Sequence, residues 1–325
     1  MQVFTLSQPS GLDAATAAAS AAGAKYIAGG SDLLQLMKND VEAPSVLVDL
    51  EPILPAGIEV SSAGLTLHGM ARMSDVGAHQ AVREGWPVVS EALLASASPQ
   101  VRNMGTMGGN LLQRTRCGYF RDTGFACNKR VPGSGCPAIA GENRMLAILG
   151  GSDHCIASHP SDLAVALVAL DAVMTLRAPG GGTRQVPVAR FHRLPGDTPQ
   201  YETVLLPGEL IEAIMVPASA AARRSTYLKV RDRSSFEFAL VSAAVGLEVA
   251  DGTVRDARVA AGGVGTKPWR LPEVEQALRG QTLTPDTLRE AASVAGQGAQ
   301  PASQNGFKLT LLRRTVLRAL ETVAS

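Results

Sequence analysis

The chain has 325 residues, 46% of them hydrophobic, and a formal net charge of +1. That length supports two or three globular units with real cores. The near-neutral balance excludes a general nucleic-acid binder, which needs a basic surface to displace counterions from phosphates.

Met1 to Ser10 carries no Lys or Arg and no apolar stretch, so a secretory leader is not expected there. The Ala-rich run from Asp13 to Ala22, stopped by Gly23, reads as a helix. Lys25 to Ile27 reads as a short strand, Ala28 to Asp32 as a tight turn, and Leu33 to Lys38 as a helix opening. Ser45 to Leu50 returns as a strand, so this alternation predicts a small α/β lobe with parallel strands. The turn Ala28-Gly29-Gly30-Ser31-Asp32 sits where free backbone N–H groups and a helix start favour an anion. A glycine pair at such a turn is also an ordinary way to reach positive φ, and Asp32 could simply cap the helix.

Gly64 to Ala71 alternates like a strand, and Ser74 to Ala81 and Val88 to Ala97 read as helices of a second, α+β lobe. Next comes Asn103-Met104-Gly105-Thr106-Met107-Gly108-Gly109-Asn110, read as a second close-approach loop ending in a Gly108-Gly109-Asn110 turn. Neither glycine segment fits the G-x-G-x-x-G fingerprint, so a nicotinamide cofactor held in the Rossmann manner is disfavoured.

All four cysteines, Cys117, Cys127, Cys136 and Cys155, follow in one short stretch, separated by nine, eight and eighteen residues. There is no C-x-x-C knuckle and no compact ferredoxin run, so spacing alone chooses neither zinc nor an iron–sulfur cluster. Unrelated buried thiols are the competing reading. Glycine and proline surround Cys117, Cys127 and Cys136, which is loop composition and favours ligation. Six Lys/Arg lie between Arg114 and Arg144 against two acids, Asp122 and Glu142. This basic excess would suit a −2 thiolate-bound centre of either kind. His154 and His159 are read as surface or core side chains.

Ser161 and Asp162 can cap a helix running through Leu170, whose apolar run, stopped by Asp171, is too short to cross a bilayer. Val173 to Arg177 and Glu209 to Val216 read as strands, the first followed by the Gly180-Gly181-Gly182 turn. Ala218 to Arg224 is small, polar and basic, a linker by composition. Beyond it, Ser225 to Val230, Phe238 to Val249 and Val254 to Ala261 read as strands, the last two joined at Asp251-Gly252. Helices at Pro272 to Arg279 and Gly306 to Thr322 finish a C-terminal unit.

The order Ile27-Ala28-Gly29-Gly30-Ser31-Asp32-Leu33, then Val101 to Asn110, then Ser161-Asp162-Leu163, resembles the FAD-binding subunit of the xanthine dehydrogenase and carbon monoxide dehydrogenase family of molybdenum hydroxylases. The resemblance covers essentially the whole chain. Within the family it is nearest the periplasmic aldehyde oxidoreductase branch, whose flavin subunit carries an extra [4Fe–4S] cluster. It implies an α+β chain: a two-lobed FAD-binding domain of the vanillyl-alcohol-oxidase type over 1–218, with lobes at about 1–55 and 56–218 and an iron–sulfur insert at 114–157. An antiparallel sheet with helices would follow over 223–325.

Carried over by the same resemblance, Tyr26, Ile27, Ala28, Gly29, Gly30, Ser31, Asp32, Leu33 and Leu34 would wrap the FAD phosphates, joined by Thr106, Gly109 and Asn110. Asp162 would lie near the nucleotide's sugar hydroxyls, Ile211 would make an apolar contact, and Lys229 would stand near the flavin. Cys117, Cys127, Cys136 and Cys155 would hold the [4Fe–4S] cluster. The implied partners are a [2Fe–2S] subunit and a molybdenum-cofactor subunit in a heterotrimer. Assembly is expected in the cytoplasm, with export of the folded complex if a partner carries a twin-arginine signal. The competing functions are a self-contained FAD alcohol oxidase of the same fold and a zinc-stabilised assembly protein.

Overall fold

A computed structural model describes all 325 residues. The first sheet is built from Thr5–Ser7, Val46–Asp49 and Ala24–Ile27, all parallel, with the Val46–Asp49 strand in the middle. Parallel strands need helical crossovers, and Leu12–Ala19 and Leu33–Lys38 supply them. Val48 and Leu47 are fully buried, Val48 packing with Ala15 of the first helix and Leu210 of the next sheet.

The second sheet has five antiparallel strands in the spatial order Ile58–Val60, Gly64–His68, Leu210–Pro217, Val173–Arg177, Thr183–Pro187. Its alternating apolar residues, among them Leu65, Leu67, Met174, Leu176 and Ile214, face one way and are buried against helices Pro87–Leu94 and Asp162–Ala169. Every residue of Asp162–Ala169 is buried, which explains why its sequence is apolar all round. Ser161 caps it by accepting from the Ala164 N–H, and the Arg270 guanidinium donates to the Val168 and Ala169 carbonyls at its other end.

The third sheet is antiparallel, in the order Trp269–Arg270, Thr253–Gly262, Val241–Ala250, Ser225–Val230. Asp251 and Gly252 both have positive φ, the conformation a two-residue hairpin of this twist needs. Helices Pro272–Leu278, Pro285–Ser293 and Phe307–Ala324 cover it and close a second core.

Three expectations change. The Gly108-Gly109-Asn110 turn is instead part of a short helix, Met107–Leu111, because the Thr106 hydroxyl accepts from the Gly109 N–H and starts it. The Ser74 to Ala81 helix is broken at His79 into Met73–Ala78 and Gln80–Gly85. The segment read as a linker holds a helical turn, Ala220–Arg223, capped by Ser219 and burying Ala221 and Ala222. It is therefore packed, not free.

Candidate flavin cavity and cysteine site

A cavity of about 1060 Å³ opens where the first sheet, the second lobe and the C-terminal unit meet. Residues Tyr26 to Leu33 form one wall, and Thr106, Gly109, Asn110, Asp162 and Ile211 stand on others. Leu34 and Lys229 do not line it. Leu34 turns beneath the loop, where its Cδ1 would touch a Cβ placed on Gly30. Lys229 is buried in an ion pair with Asp162 at 2.8 Å and also donates to the Ala95 carbonyl.

The first glycine loop is prepared for an anion. None of the backbone N–H groups of Gly29, Gly30, Ser31, Asp32 and Leu33 donates to another backbone group. Such a run of free amides at a helix start is what a phosphate needs. Gly29 is there for approach as well: a Cβ on it would lie 1.8 Å from the Met104 carbonyl oxygen, so the two glycine segments touch backbone to backbone.

The second segment behaves differently from expectation. Its amides are spoken for: Met107 and Gly108 donate to Ala71 and Gly69, Gly109 to the Thr106 hydroxyl, and Asn110 to the Thr106 carbonyl. Gly109 instead contributes open space, since the only atom near a Cβ on it is the Thr106 hydroxyl oxygen, at 2.8 Å. Asn110 is buried, with its carbonyl oxygen accepting from the Ser161 hydroxyl.

Asp162 is 5% exposed and accepts from Lys229, from the Tyr227 hydroxyl at 2.6 Å and from the Ser96 hydroxyl at 2.9 Å. Burial and the adjoining carboxylate hold the Tyr227 phenol well above its ordinary range. Asp32 does not cap its helix. Its carboxylate takes Arg121 at 2.7 Å, Arg116 at 3.0 Å and the Arg114 N–H at 2.8 Å, tying the first glycine loop to the start of the cysteine segment. Tyr26 donates to the Gly208 carbonyl at 2.7 Å, and burial pushes its phenol up to about 12.

Sequence reasoning missed much of this wall. Arg114, Arg116 and the run Leu205 to Leu210 line it, as do Arg233, Phe236, Glu237 and Phe238 from the C-terminal unit. Arg116 packs over the Phe238 ring, its guanidinium pushed down to about 10 by burial, with Nε buried and unpartnered. A half-buried guanidinium with an unpartnered buried Nε beside free amides fits an anionic ligand. No signal local to the sequence marks these residues, because chain reversal brings them together.

The four cysteines converge on one small cavity beside Tyr119, Phe120, Ala138 and Ala157. All four are free thiols; Cys117 and Cys155 are buried, Cys127 and Cys136 half-buried. Burial pushes the Cys117 thiol up to about 11, while the Phe120 and Tyr119 amides favour its thiolate. Amides of Ala138 and Ile139 do the same for Cys136, and that of Ala157 for Cys155. Backbone donors of this kind hold thiolate ligands and tune the centre they bind.

No three Cys, His, Asp or Glu side chains approach closely enough to hold a single metal ion. Zinc needs all four sulfurs at about 2.3 Å from one centre. A cubane cluster places each thiolate on a separate iron, and so accepts sulfurs that stand further apart around a cavity. The basic excess of the segment is largely paired elsewhere: Arg114 with Glu42 and Glu202, Arg116 and Arg121 with Asp32, Arg144 with Asp232. Arg130 binds the carbonyls of Tyr119 and Phe120. Lys129, though paired with Glu202 at 2.9 Å, is the one basic side chain of the segment that lines the cysteine cavity.

The two cavities share a partition. Leu36 lines the large cavity and packs with Cys117 and Phe120 in one buried cluster. Arg116, on the large cavity, immediately precedes Cys117.

A deep anion-ready cleft among an α/β lobe, an α+β lobe and an antiparallel C-terminal sheet defines a flavoprotein of the molybdenum hydroxylase type. Residues 2–219 match the FAD-binding domain of molybdopterin dehydrogenases, and residues 226–323 the C-terminal domain of the CO dehydrogenase flavoprotein. The chain belongs to this family, as an FAD-binding subunit. It is 47% identical over 310 residues to the aldehyde oxidoreductase FAD-binding subunit PaoB of Escherichia coli strain K12, spanning 95% of this chain and 94% of that one. It is 26% identical to the glyceraldehyde dehydrogenase medium chain of Sulfolobus acidocaldarius, over 92% and 90% of the two chains. Among solved structures, carbon monoxide dehydrogenase from Hydrogenophaga pseudoflava superposes with a TM-score of 0.75 at 26% identity, covering 99% of this chain and 97% of that one.

Proposed function

We propose that this chain is the FAD and [4Fe–4S] electron-transfer subunit of a heterotrimeric molybdenum hydroxylase acting on aldehydes. It takes electrons from a [2Fe–2S] subunit, substrate being oxidised on a molybdenum-cofactor subunit, and delivers them to an external acceptor. The observation that carries the reading is the shared partition: four free cysteines surround one cavity, and Leu36 separates it from the anion-ready cleft. The high identity to an aldehyde oxidoreductase flavin subunit supports the substrate class.

In this reading Tyr26 to Leu33, Thr106, Gly109, Asn110, Asp162 and Ile211 hold FAD, and Cys117, Cys127, Cys136 and Cys155 hold the cluster. Flavin, when bound, supplies the conversion between one-electron and two-electron transfer. The chain's own residues position it. The free amides of Gly29 to Leu33 bind the diphosphate, Arg116 offers a cation, and Ile211 and Phe238 exclude water. Lys229 and Arg270 act at a distance, fixing Asp162 and the helix it begins.

The absorption spectrum of the purified complex and of this subunit tests the reading. Flavin bands over a broad iron–sulfur shoulder support it. Flavin alone would point to a self-contained oxidase of this fold, and neither chromophore to a zinc-stabilised assembly protein.

A further inference from the structure

Lys129 is the only residue of fixed positive charge on the wall of the cysteine cavity, and no acidic residue shares that wall. Its side chain is 9% exposed, and it is anchored at both of its named partners, Glu202 at 2.9 Å and the Pro199 carbonyl at 2.9 Å. The ammonium therefore cannot swing into solvent without breaking a half-buried ion pair. Glu202 in turn accepts from Arg114, which stands on the flavin cavity wall. One carboxylate thus joins a lysine on the cysteine-cavity wall to an arginine on the flavin-cleft wall.

We propose that Lys129 is the electrostatic positioning residue of the cysteine centre, raising its reduction potential, with Glu202 setting how much of that charge the centre feels. The inference rests on the cluster reading above. When the centre gains an electron its negative charge grows by one, and an adjacent buried cation stabilises the reduced form selectively. The donor of that electron is the upstream iron–sulfur subunit, and no proton moves at Lys129. Lys129, Glu202 and Cys155 also line one neighbouring cleft. Removing the positive charge lowers the potential; removing the Glu202 charge raises it.

Potentiometric titration of the cluster's electron paramagnetic resonance signal in the intact complex tests this, with iron and labile sulfide counted on the same samples. Lys129→Met should keep about four irons per chain. Its midpoint should fall by an amount equal to about a tenfold change in the oxidised-to-reduced ratio, ~59 mV for one electron. Lys129→Arg should restore the wild-type value, and Glu202→Gln should move it upward. A purely structural Lys129 would alter iron content without these opposite shifts. An unchanged midpoint in iron-replete Lys129→Met overturns the inference, as does a downward shift in Glu202→Gln. If Lys129→Met loses its iron, Glu202→Gln decides: a rise supports the inference and an unchanged midpoint overturns it. Wild-type protein without iron overturns it together with the reading it rests on.

Discussion

A buried carboxylate served by three donors depends on its cation. Asp162, Tyr227, Ser96 and Lys229 form such a group, joining the helix that begins at Asp162 to the strand Ser225–Val230. Lys229→Met leaves Asp162 charged without its cation, a loss of about 3–5 kcal/mol by the usual cost of breaking a buried pair. Chemical denaturation of the variant should show it, whereas an unchanged midpoint would mean that the pair is solvated. Gly109 makes the opposite case. A side chain there meets open cavity and costs the fold little beyond the Thr106 cap, about 1 kcal/mol. Gly109→Leu should therefore lose flavin while keeping its iron; loss of both together would make this glycine a folding element. At this scale the residue types were legible in the sequence and several roles were not. Gly29 and Gly109 both announce close approach, yet one meets backbone and the other a cavity. Lys229 reads as a strand-end lysine because its partner lies 67 residues away. Arg116 and Phe238 carry no motif at all.

Among the elements, those with a clear period and clear stops were read correctly: Leu33–Lys38, Val173–Arg177 and Ser225–Val230. The helix Met107–Leu111 escaped because two glycines lower its propensity and a single hydroxyl cap compensates. Pro285–Ser293 escaped although Thr284 caps it and Pro285 starts it. The end of the helix Met107–Leu111, just before the cysteine segment, is held by a side chain that follows a short element. His192, behind the helical turn Val188–Phe191, donates from Nε2 to the Leu111 carbonyl, so its buried, unpartnered Nδ1 is the site of protonation. Burial pushes His192 down to about 4 and holds the neighbouring His159 well below 6.5. Both are neutral in the fold and charged in the acid-unfolded chain. The His192 contribution is complete above pH 6.5 and is lost as pH falls through about 4, and His159 acts in the same direction. For His192 that span corresponds to roughly 3 kcal/mol. Denaturation at pH 7 and pH 4 should show the loss, with a smaller drop in His192→Gln. Equal pH dependence in the two proteins would exclude His192 as its source.

Across the whole molecule, the three sheets leave one large cleft, and the cysteine segment closes it on one side. No cysteine or histidine lines that cleft, so neither a thioether nor a histidyl flavin link has a residue to form on, and the Tyr26 hydroxyl is engaged with the Gly208 carbonyl. Acid precipitation should release the yellow chromophore into the supernatant, and flavin retained in the pellet would refute non-covalent binding. No helix is long and apolar enough to cross a membrane. The fold class was legible from alternation and from the family resemblance, but the convergence of the four cysteines was legible from the resemblance alone, since intervals of nine, eight and eighteen residues determine no geometry. It emerges only once Leu36, Phe120 and Ala138 pack the segment against the first lobe. In the function proposed above, this convergence serves an iron–sulfur cluster beside a flavin. Metal analysis of the wild-type subunit and of single Cys→Ser variants at Cys117, Cys127, Cys136 and Cys155 tests it most directly. About four irons per chain in the wild type, lost or sharply reduced in each variant, is the predicted result. One equivalent of zinc in the wild type, or iron unchanged in any of the four variants, would contradict it.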